Sequence, residues 1–399
     1  MTIKTPTELS VDQADRPLPQ LKSKSLWLEI ALVMTIALGV IFVIPLLLST
    51  IGQSFRVNML GRFMALAIAA LGIDLIWGYT GMLSLGHGLF FSLGGYAFAM
   101  FLSLQLPEGE LPEFFVQYGV TELPWFWQPF HSFGFTMAAV ILVPALVAGL
   151  LGYLVFRNRI RGVYFSILTQ ATLIVFVNFF NSQQKLINGT NGLKTDTAKL
   201  FGVYAGSDQA QAIFYALTVV FVVLAYALCR WLTSGRLGKL LIALRDDESR
   251  VRFSGYNPTA FKVLVFAVSA GLAGIGGALY TVQSGIISPK TMDIAFSIDM
   301  VIWVAVGGRA SLVGAILGAI AVNFAKSFLS EEFPEIWLFF QGGLFLTVVT
   351  VWPGGFIGWL RSQALDNLKS LTGHRRRLMT YPKLVEDPEI DYERQNFRK

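Results

Sequence analysis

The sequence predicts an all-α membrane protein, a polytopic helical bundle of about ten transmembrane spans. Three observations carry that expectation. Of the 399 residues, 54% are hydrophobic and only 14% charged, whereas a soluble domain carries about 25% charged residues. The mean hydropathy is +0.59. The apolar residues also gather in runs of about 18 to 24, long enough at 1.5 Å per residue to cross a hydrocarbon core about 30 Å thick.

Residues 1–26 are polar, mixed in charge and carry prolines, and are expected to form a loose tail. The first apolar run, 27–50, is too long for the core of a signal peptide and reads as a retained span. A second span at 59–78 reaches the turn Gly78-Tyr79-Thr80-Gly81, and a Gly-rich third follows at 83–105. An acidic, aromatic loop (106–134) leads to the fourth span, 135–156, which Arg157-Asn158-Arg159-Ile160-Arg161 closes. The fifth span is 163–180, followed by a polar loop, 181–211, and the sixth at 212–232. The charged segment 233–260 precedes the seventh span, 261–283. The stretch 295–328 is too long for one span, and Gly307-Gly308-Arg309 divides it into two. The tenth span is 336–353, so a membrane domain over 27–360 is followed by a charged tail, 361–399.

A net charge of +6 in a soluble protein would point to nucleic acid or an anionic surface. Here position matters more than the sum, and no nucleic-acid partner is expected. Lys and Arg resist translocation and collect in short cytoplasmic loops. With both termini inside, the cytoplasmic segments hold 24 of the 31 basic residues, which sets the orientation of a multi-pass protein of the inner membrane. Loop 106–134 has four Glu and no Lys or Arg, as suits the outer face. Trp27, Trp77, Trp125, Trp127, Trp231, Trp337, Trp352 and Trp359 lie near expected span ends, where an amphipathic ring prefers to sit against lipid headgroups.

Segment 233–260 is the only sizeable polar island in the second half of the chain before the tail. Its chemistry implies a short helix marked at both ends. Asp246 or Asp247 can accept from the free N–H groups of a first turn, and acids suit the positive end of the dipole. Gly255 supplies a left-handed stop, and Asn257-Pro258-Thr259 opens the next span. Between these marks Val251 and Phe253, with Arg250 and Arg252, are expected to form one mixed face. Such a segment is either a solvated positive-inside loop or a stiff connector that transmits force from a partner.

A resemblance favours the connector. The run Ala243-Leu244-Arg245-Asp246-Asp247-Glu248, then Gly255, then Lys262 at the head of an apolar span, resembles the cytoplasmic coupling loop of LivM-type permeases. The likeness extends to Gly78-Tyr79-Thr80-Gly81 with Ser84-Leu85-Gly86-His87-Gly88, to Gly162-Val163-Tyr164-Phe165-Ser166, to Asn191-Gly192-Leu193, and to Gly307-Gly308 with Gly314 and Gly318. Those permeases are the membrane subunits of ATP-binding-cassette importers of branched-chain amino acids and related small solutes. Within that family, Leu123-Pro124-Trp125-Phe126-Trp127-Gln128-Pro129-Phe130, Ser166-Ile167-Leu168-Thr169-Gln170, Gly189-Thr190-Asn191-Gly192-Leu193 and the stretch from Met300 to Arg309 are more similar to the urea-importer permeases. The resemblance implies a coupling loop carried by Arg245, Asp246, Asp247, Glu248, Arg250, Arg252 and Gly255. It also implies separate ATPase subunits, a homologous second permease and a periplasmic solute-binding protein.

Other features are consistent with that expectation. A phosphate loop needs G-x-x-x-x-G-K-[ST]; the nearest imitation, Gly189 to Thr195, has Leu193 between Gly192 and Lys194 and lies in an outer loop. The chain is therefore expected to hold no cofactor itself, ATP being bound by partner subunits. Cys229 is the sole cysteine, and His87, His131 and His374 lie far apart in sequence, so no metal set or nucleophile–base pairing is read. Gly86, Gly88, Gly94 and Gly95, and Gly271, Gly274, Gly276 and Gly277, suit close helix packing or a hinge. Ionisable residues inside spans are costly and often functional. Asp74 reads as a residue meeting interfacial water or a backbone N–H, Asp299 as a pathway candidate, His87 as a satisfied structural residue, and Glu29 and Lys326 as snorkelling residues. Hydrogen-bonding groups for a small neutral solute are sought among Ser166, Thr169, Gln170, Asn178 and Ser269, with Asp299 beside them. A branched-chain amino-acid permease is the near alternative. An ATP-independent secondary transporter or channel is the distant one, and would need paired broken helices in repeats.

Overall fold

The computed structural model describes residues 23–50, 55–107, 110–200, 202–333, 335–351, 354–356 and 358. In chain order the helices are α1 (Ser23–Thr50), α2 (Phe55–Thr80), α3 (His87–Ser103), the short α4 (Glu113–Gln117), α5 (Phe133–Arg157), α6 (Val163–Ser182), the short α7 (Gln184–Ile187), α8 (Asp208–Ser234), α9 (Arg236–Asp246), α10 (Glu248–Phe253), α11 (Pro258–Ser284), α12 (Ile294–Gly307), α13 (Leu312–Glu332) and α14 (Trp337–Val351). Two-residue strands β1 (Leu193–Lys194), β2 (Lys199–Leu200), β3 (Val203–Tyr204) and β4 (Ile286–Ile287) form two antiparallel pairs, β1 with β4 and β2 with β3.

Among the described residues six helices, α2, α5, α6, α8, α11 and α13, are long and apolar enough to cross a membrane. Shorter apolar helices occupy Leu32–Leu48 within α1, α3, α12, and Phe339–Val348 within α14. Every apolar run of the sequence therefore coincides with a helix. The boundaries follow local chemistry. Ser207 and Ser311 cap α8 and α13 by accepting from Ala210 N–H and Gly314 N–H. Gly285, at φ 74°, ends α11 in the left-handed region.

Helices α2 and α11 form the centre. α11 packs on α2, α3 and α5, and α2 also supports α8 and α13. In lipid no hydrophobic effect draws helices together, so close backbone approach through small residues takes its place. A Cβ on Gly277 would lie 1.8 Å from the Phe91 carbonyl oxygen. One on Gly274 would lie 2.3 Å from the Val140 oxygen, the carbonyl that Pro144 deprives of its helical donor. The glycine faces are thus packing faces. Outward stripes are apolar, as in Leu142, Leu146, Leu150 and Leu154 on α5, all exposed at four-residue spacing.

The loops sort to two ends. At one end Arg161 meets Glu248, Arg245 meets Gly78 and Asp74 meets Ala310. At the other β1 pairs with β4, Trp127 Nε1 donates to the Leu186 oxygen and Tyr118 to Gln184. The basic turn after α5, the charged segment and the Gly307–Gly308 turn share one end, as their common charge anticipates.

Three differences from the sequence expectation stand out. Residues 83–86, expected in the third span, are irregular, and Gly78–Thr80, expected in a turn, still belong to α2. Segment 233–260 contains two helices, because α9 is an independent amphipathic helix. Residues 23–26, expected in the tail, already belong to α1. Residues 1–22, the tail 361–399 and the side chain of Glu29 lie outside the described residues.

Gly277→Ala should force α11 from α3 at a cost of about 1–3 kcal/mol, the usual range for overpacking. Gly149→Ala, with nothing within 4 Å of the added methyl, should be neutral. Thermal unfolding of the detergent-purified protein compares the two, and equal melting temperatures would refute the close-packing account.

Candidate functional site

The charged segment folds as its end marks dictate. On α9, Gly238, Leu241 and Leu244 are buried, and the helix packs on α2 and α8. Asp247 is extended, at φ −156° and ψ 100°, and breaks α9 from α10. Its Oδ1 accepts from Ser249 N–H at 2.9 Å and Arg250 N–H at 3.4 Å, so Asp247 rather than Asp246 is the cap. Gly255, at φ 84°, lets the Tyr256 N–H reach back to the Val251 oxygen at 3.3 Å. Asn257 caps α11 through Thr259 N–H at 3.1 Å, with Pro258 in the first turn.

One carboxylate roots this segment. Glu248 accepts from Lys262 Nζ at 2.5 Å, Arg252 Nη2 at 3.0 Å and Arg161 Nε at 3.2 Å. A single side chain, 9% exposed, thereby joins α10 to α11 and to the α5–α6 turn. Burial alone would raise the Glu248 carboxyl. The Lys262 hydrogen bond and charge, then Arg161 and Arg252, outweigh burial and hold it below its ordinary 4.5. The exposed pair Arg250–Asp247, at 3.1 Å, is worth little by comparison. Behind Glu248 a cavity of about 300 Å³ opens between Thr80, Phe156, Arg161, Arg245 and Lys262.

The outer surface of α10 corrects one expectation. Val251 and Phe253 do not share a face: Val251 is 6% exposed and Phe253 92%. Two residues on a helix lie about 200° apart, so one points into the bundle and the other away. Arg250 projects beside Phe253, its side chain 88% exposed.

The structure does not bring the pathway candidates together on one surface. Ser166 Oγ donates to the Leu83 oxygen at 2.6 Å, and Thr169 Oγ1 accepts from Leu85 N–H at 3.1 Å; both hold the irregular 81–86 segment against α6. Ser269 Oγ donates to the Gly72 oxygen at 2.6 Å and lies 2.7 Å from His87 Nε2. With its proton committed to Gly72, Ser269 accepts from His87, which fixes the Nε2–H tautomer. His87 is thus held on one nitrogen, and Nδ1 has no partner among the described residues. Asp299 accepts from Lys326 Nζ at 2.7 Å and from Gln341, which ties α12, α13 and α14. Lys326 is therefore an ion-pair partner rather than a snorkelling residue. Asn178 is exposed and Gln170 half-buried on α6. Asp74 is fully buried and accepts Ala310 N–H at 2.7 Å, in line with its reading as a partner of a backbone N–H.

Sequence reasoning missed Arg161 and Gln341 as partners. The Glu248–Arg252 pair, four apart on one helix, was legible from spacing; the Arg161 contact, 87 residues away, carried no local signal. Among the described residues no group of three or more His, Cys, Asp or Glu is placed to hold a metal.

Several apolar helices long enough to cross a membrane, joined by a polar connector rooted in the bundle, define a multi-pass membrane protein. Residues 55–349 match the family described as "Branched-chain amino acid transport system / permease component", and the chain belongs to that family. It is 26% identical to the high-affinity branched-chain amino acid transport system permease protein LivM of Salmonella typhimurium, over 81% of this chain and 76% of that protein. Identity to BraD of Pseudomonas aeruginosa, a permease protein of the same kind of system, is 22% over 73% and 91%. The ribose import permease protein RbsC of Haemophilus influenzae is 24% identical over 48% and 59%. No solved structure matches the chain.

Glu248→Gln removes the charge that three cations share. Hydrogen exchange across 247–255 should speed up as if local stability fell by about 1–3 kcal/mol. The depressed Glu248 carboxyl stabilises the connector at neutral pH, and that contribution is lost as pH falls through and below 4.5. Exchange in the wild type, corrected for intrinsic rates, should therefore converge on that of Glu248→Gln in acid. A constant gap would contradict the ion cluster.

Proposed function

We propose that this chain is the membrane-spanning permease subunit of an ATP-driven importer, with about ten spans in the inner membrane and both termini cytoplasmic. The observation that carries the reading is the two-sided character of α10. Glu248 and Val251 bind it to the bundle, while Phe253 and Arg250 stand clear at its tip. An aromatic and an arginine projecting together are the usual anchors of a protein interface. Their partner on this reading is an ATPase subunit, since the sequence holds no phosphate loop of its own. ATP-driven closure of two such subunits would push α10, and its ion cluster would pass the displacement to α11 and the α5–α6 turn. A periplasmic binding protein delivers solute to the opposite end.

The second half of the pathway is assigned to a homologous permease. α6 is little covered by its own chain, and the amide of Asn178 on its open side is costly against lipid. A partner helix or a water-filled path would relieve that cost. Urea is the proposed solute, from the sequence details that resemble urea-importer permeases and from the amides of Asn178 and Gln170, which suit a small neutral molecule. Branched-chain amino acids are the second reading, favoured by the names of LivM and BraD. The ribose permease among the relatives indicates how loosely identity at this level constrains the solute.

Phe253→Ala should weaken retention of the ATPase subunit by about 2 kcal/mol, roughly 30-fold, measured by co-purification at decreasing concentration. The double reversal Asp247→Lys, Glu248→Lys should abolish ATP-dependent uptake by the assembled complex. Unchanged retention and uptake would defeat the coupling assignment, and transport by this chain alone in liposomes without ATP would favour a secondary transporter or channel. Competition of labelled urea against leucine separates the two solutes.

A further inference from the structure

The motif Gly78-Tyr79-Thr80-Gly81 closes α2, and its geometry is unusual because one residue is held from two sides. Arg245 Nη1, from the end of α9, donates to the Gly78 carbonyl oxygen at 2.9 Å. On its other side, Gly78 faces the turn between α12 and α13: a Cβ there would lie 2.4 Å from Ala310 N and equally close to Asp74 Oδ1. Asp74, one helical turn before Gly78, accepts that same Ala310 N–H at 2.7 Å. Arg245 also runs close along the turn, its Cγ 3.0 Å from where a Cβ on Gly81 would stand.

The turn on the receiving side is strained and multiply held. Gly308 has φ 112° and Ala310 φ 59°, the latter a left-handed conformation that costs a residue with a Cβ about 1 kcal/mol or more. Three contacts to the end of α2 keep it there. They are the Asp74 bond, the Tyr79 hydroxyl at 3.4 Å from the Ala310 oxygen, and the Arg309 guanidinium 5.1 Å over the Trp77 ring. A turn that is bound this way moves with α2 or releases as a unit.

We propose that Asp74 is a positioning residue in a second line of transmission, in which displacement of α9 passes through Arg245 and the end of α2 to Asp74 and so to the α12–α13 turn. This rests on the coupling reading above but concerns a different route from the Glu248 cluster. The Glu248 route moves α11 and the α5–α6 turn. The Asp74 route moves α12 and α13, which pack on each other and on α2. It assigns a purpose to a fully buried carboxyl at the connector end of α2.

The test uses the full chain assembled with its ATPase subunits. Spin labels on Leu228→Cys and Val313→Cys, both exposed positions on α8 and α13, report, through the distance between them, displacement of the α12–α13 turn at the connector end against a helix outside the Glu248 cluster; Cys229 is buried and will not compete for label. In the otherwise unmodified protein a non-hydrolysable ATP analogue with Mg²⁺ should shift that distance. Asp74→Ala should lose the shift while ATPase retention through Phe253 stays intact. Asp74→Asn, whose side-chain oxygen can still accept the Ala310 N–H, should restore most of it. Because the route is serial, Arg245→Ala combined with Asp74→Ala should be no worse than either alone. A shift that persists in Asp74→Ala, a loss equally complete in Asp74→Asn, or additive effects in the double variant each overturn the proposal. Absence of any shift in the unmodified complex would instead sink the coupling reading itself, so the two failures are distinguishable.

Discussion

A hydrocarbon interior offers no hydrogen-bond partners, and the bundle is organised around that deficit. At two breaks in the bundle a side chain from a neighbour takes the freed backbone group. Ser166 and Thr169 bind the 81–86 segment and Asp74 binds the α12–α13 turn, while Ser269 reaches across to the Gly72 carbonyl within the continuous α2. Polar residues in the spans, which could have lined a pathway, are in these cases fasteners of neighbouring backbone.

The same deficit explains the glycines. Where Pro144 leaves the Val140 carbonyl without its helical donor, α11 presents Gly274 so that its backbone can approach. Close approach replaces the hydrophobic gain available to a soluble core.

At the connector the logic reverses. Glu248 lies where solvent begins, and it gathers three cations rather than one. A lone buried pair often fails to recover its desolvation cost; a carboxylate shared among three donors at the edge of the bundle satisfies both oxygens and ties three elements at once. A six-residue helix too short to be stable by itself becomes a firm projection through that node.

The sequence by itself determined the ten apolar runs, the grouping of basic loops at one end, and both ends of the short connector helix, because hydropathy, charge and capping act over a few residues. Asn257-Pro258, Gly255 and the Asp246-Asp247 pair were legible for that reason. Helix period already separates Val251 from Phe253, but the sequence could not determine which of them turns in, that Lys326 serves Asp299, or that Arg161 serves Glu248. Nor could it say whether Ser166, Thr169 and Ser269 face an opening or fasten a neighbour. Those choices depend on which helices become neighbours, and only tertiary packing brings residues 87 or 236 positions apart within hydrogen-bond reach.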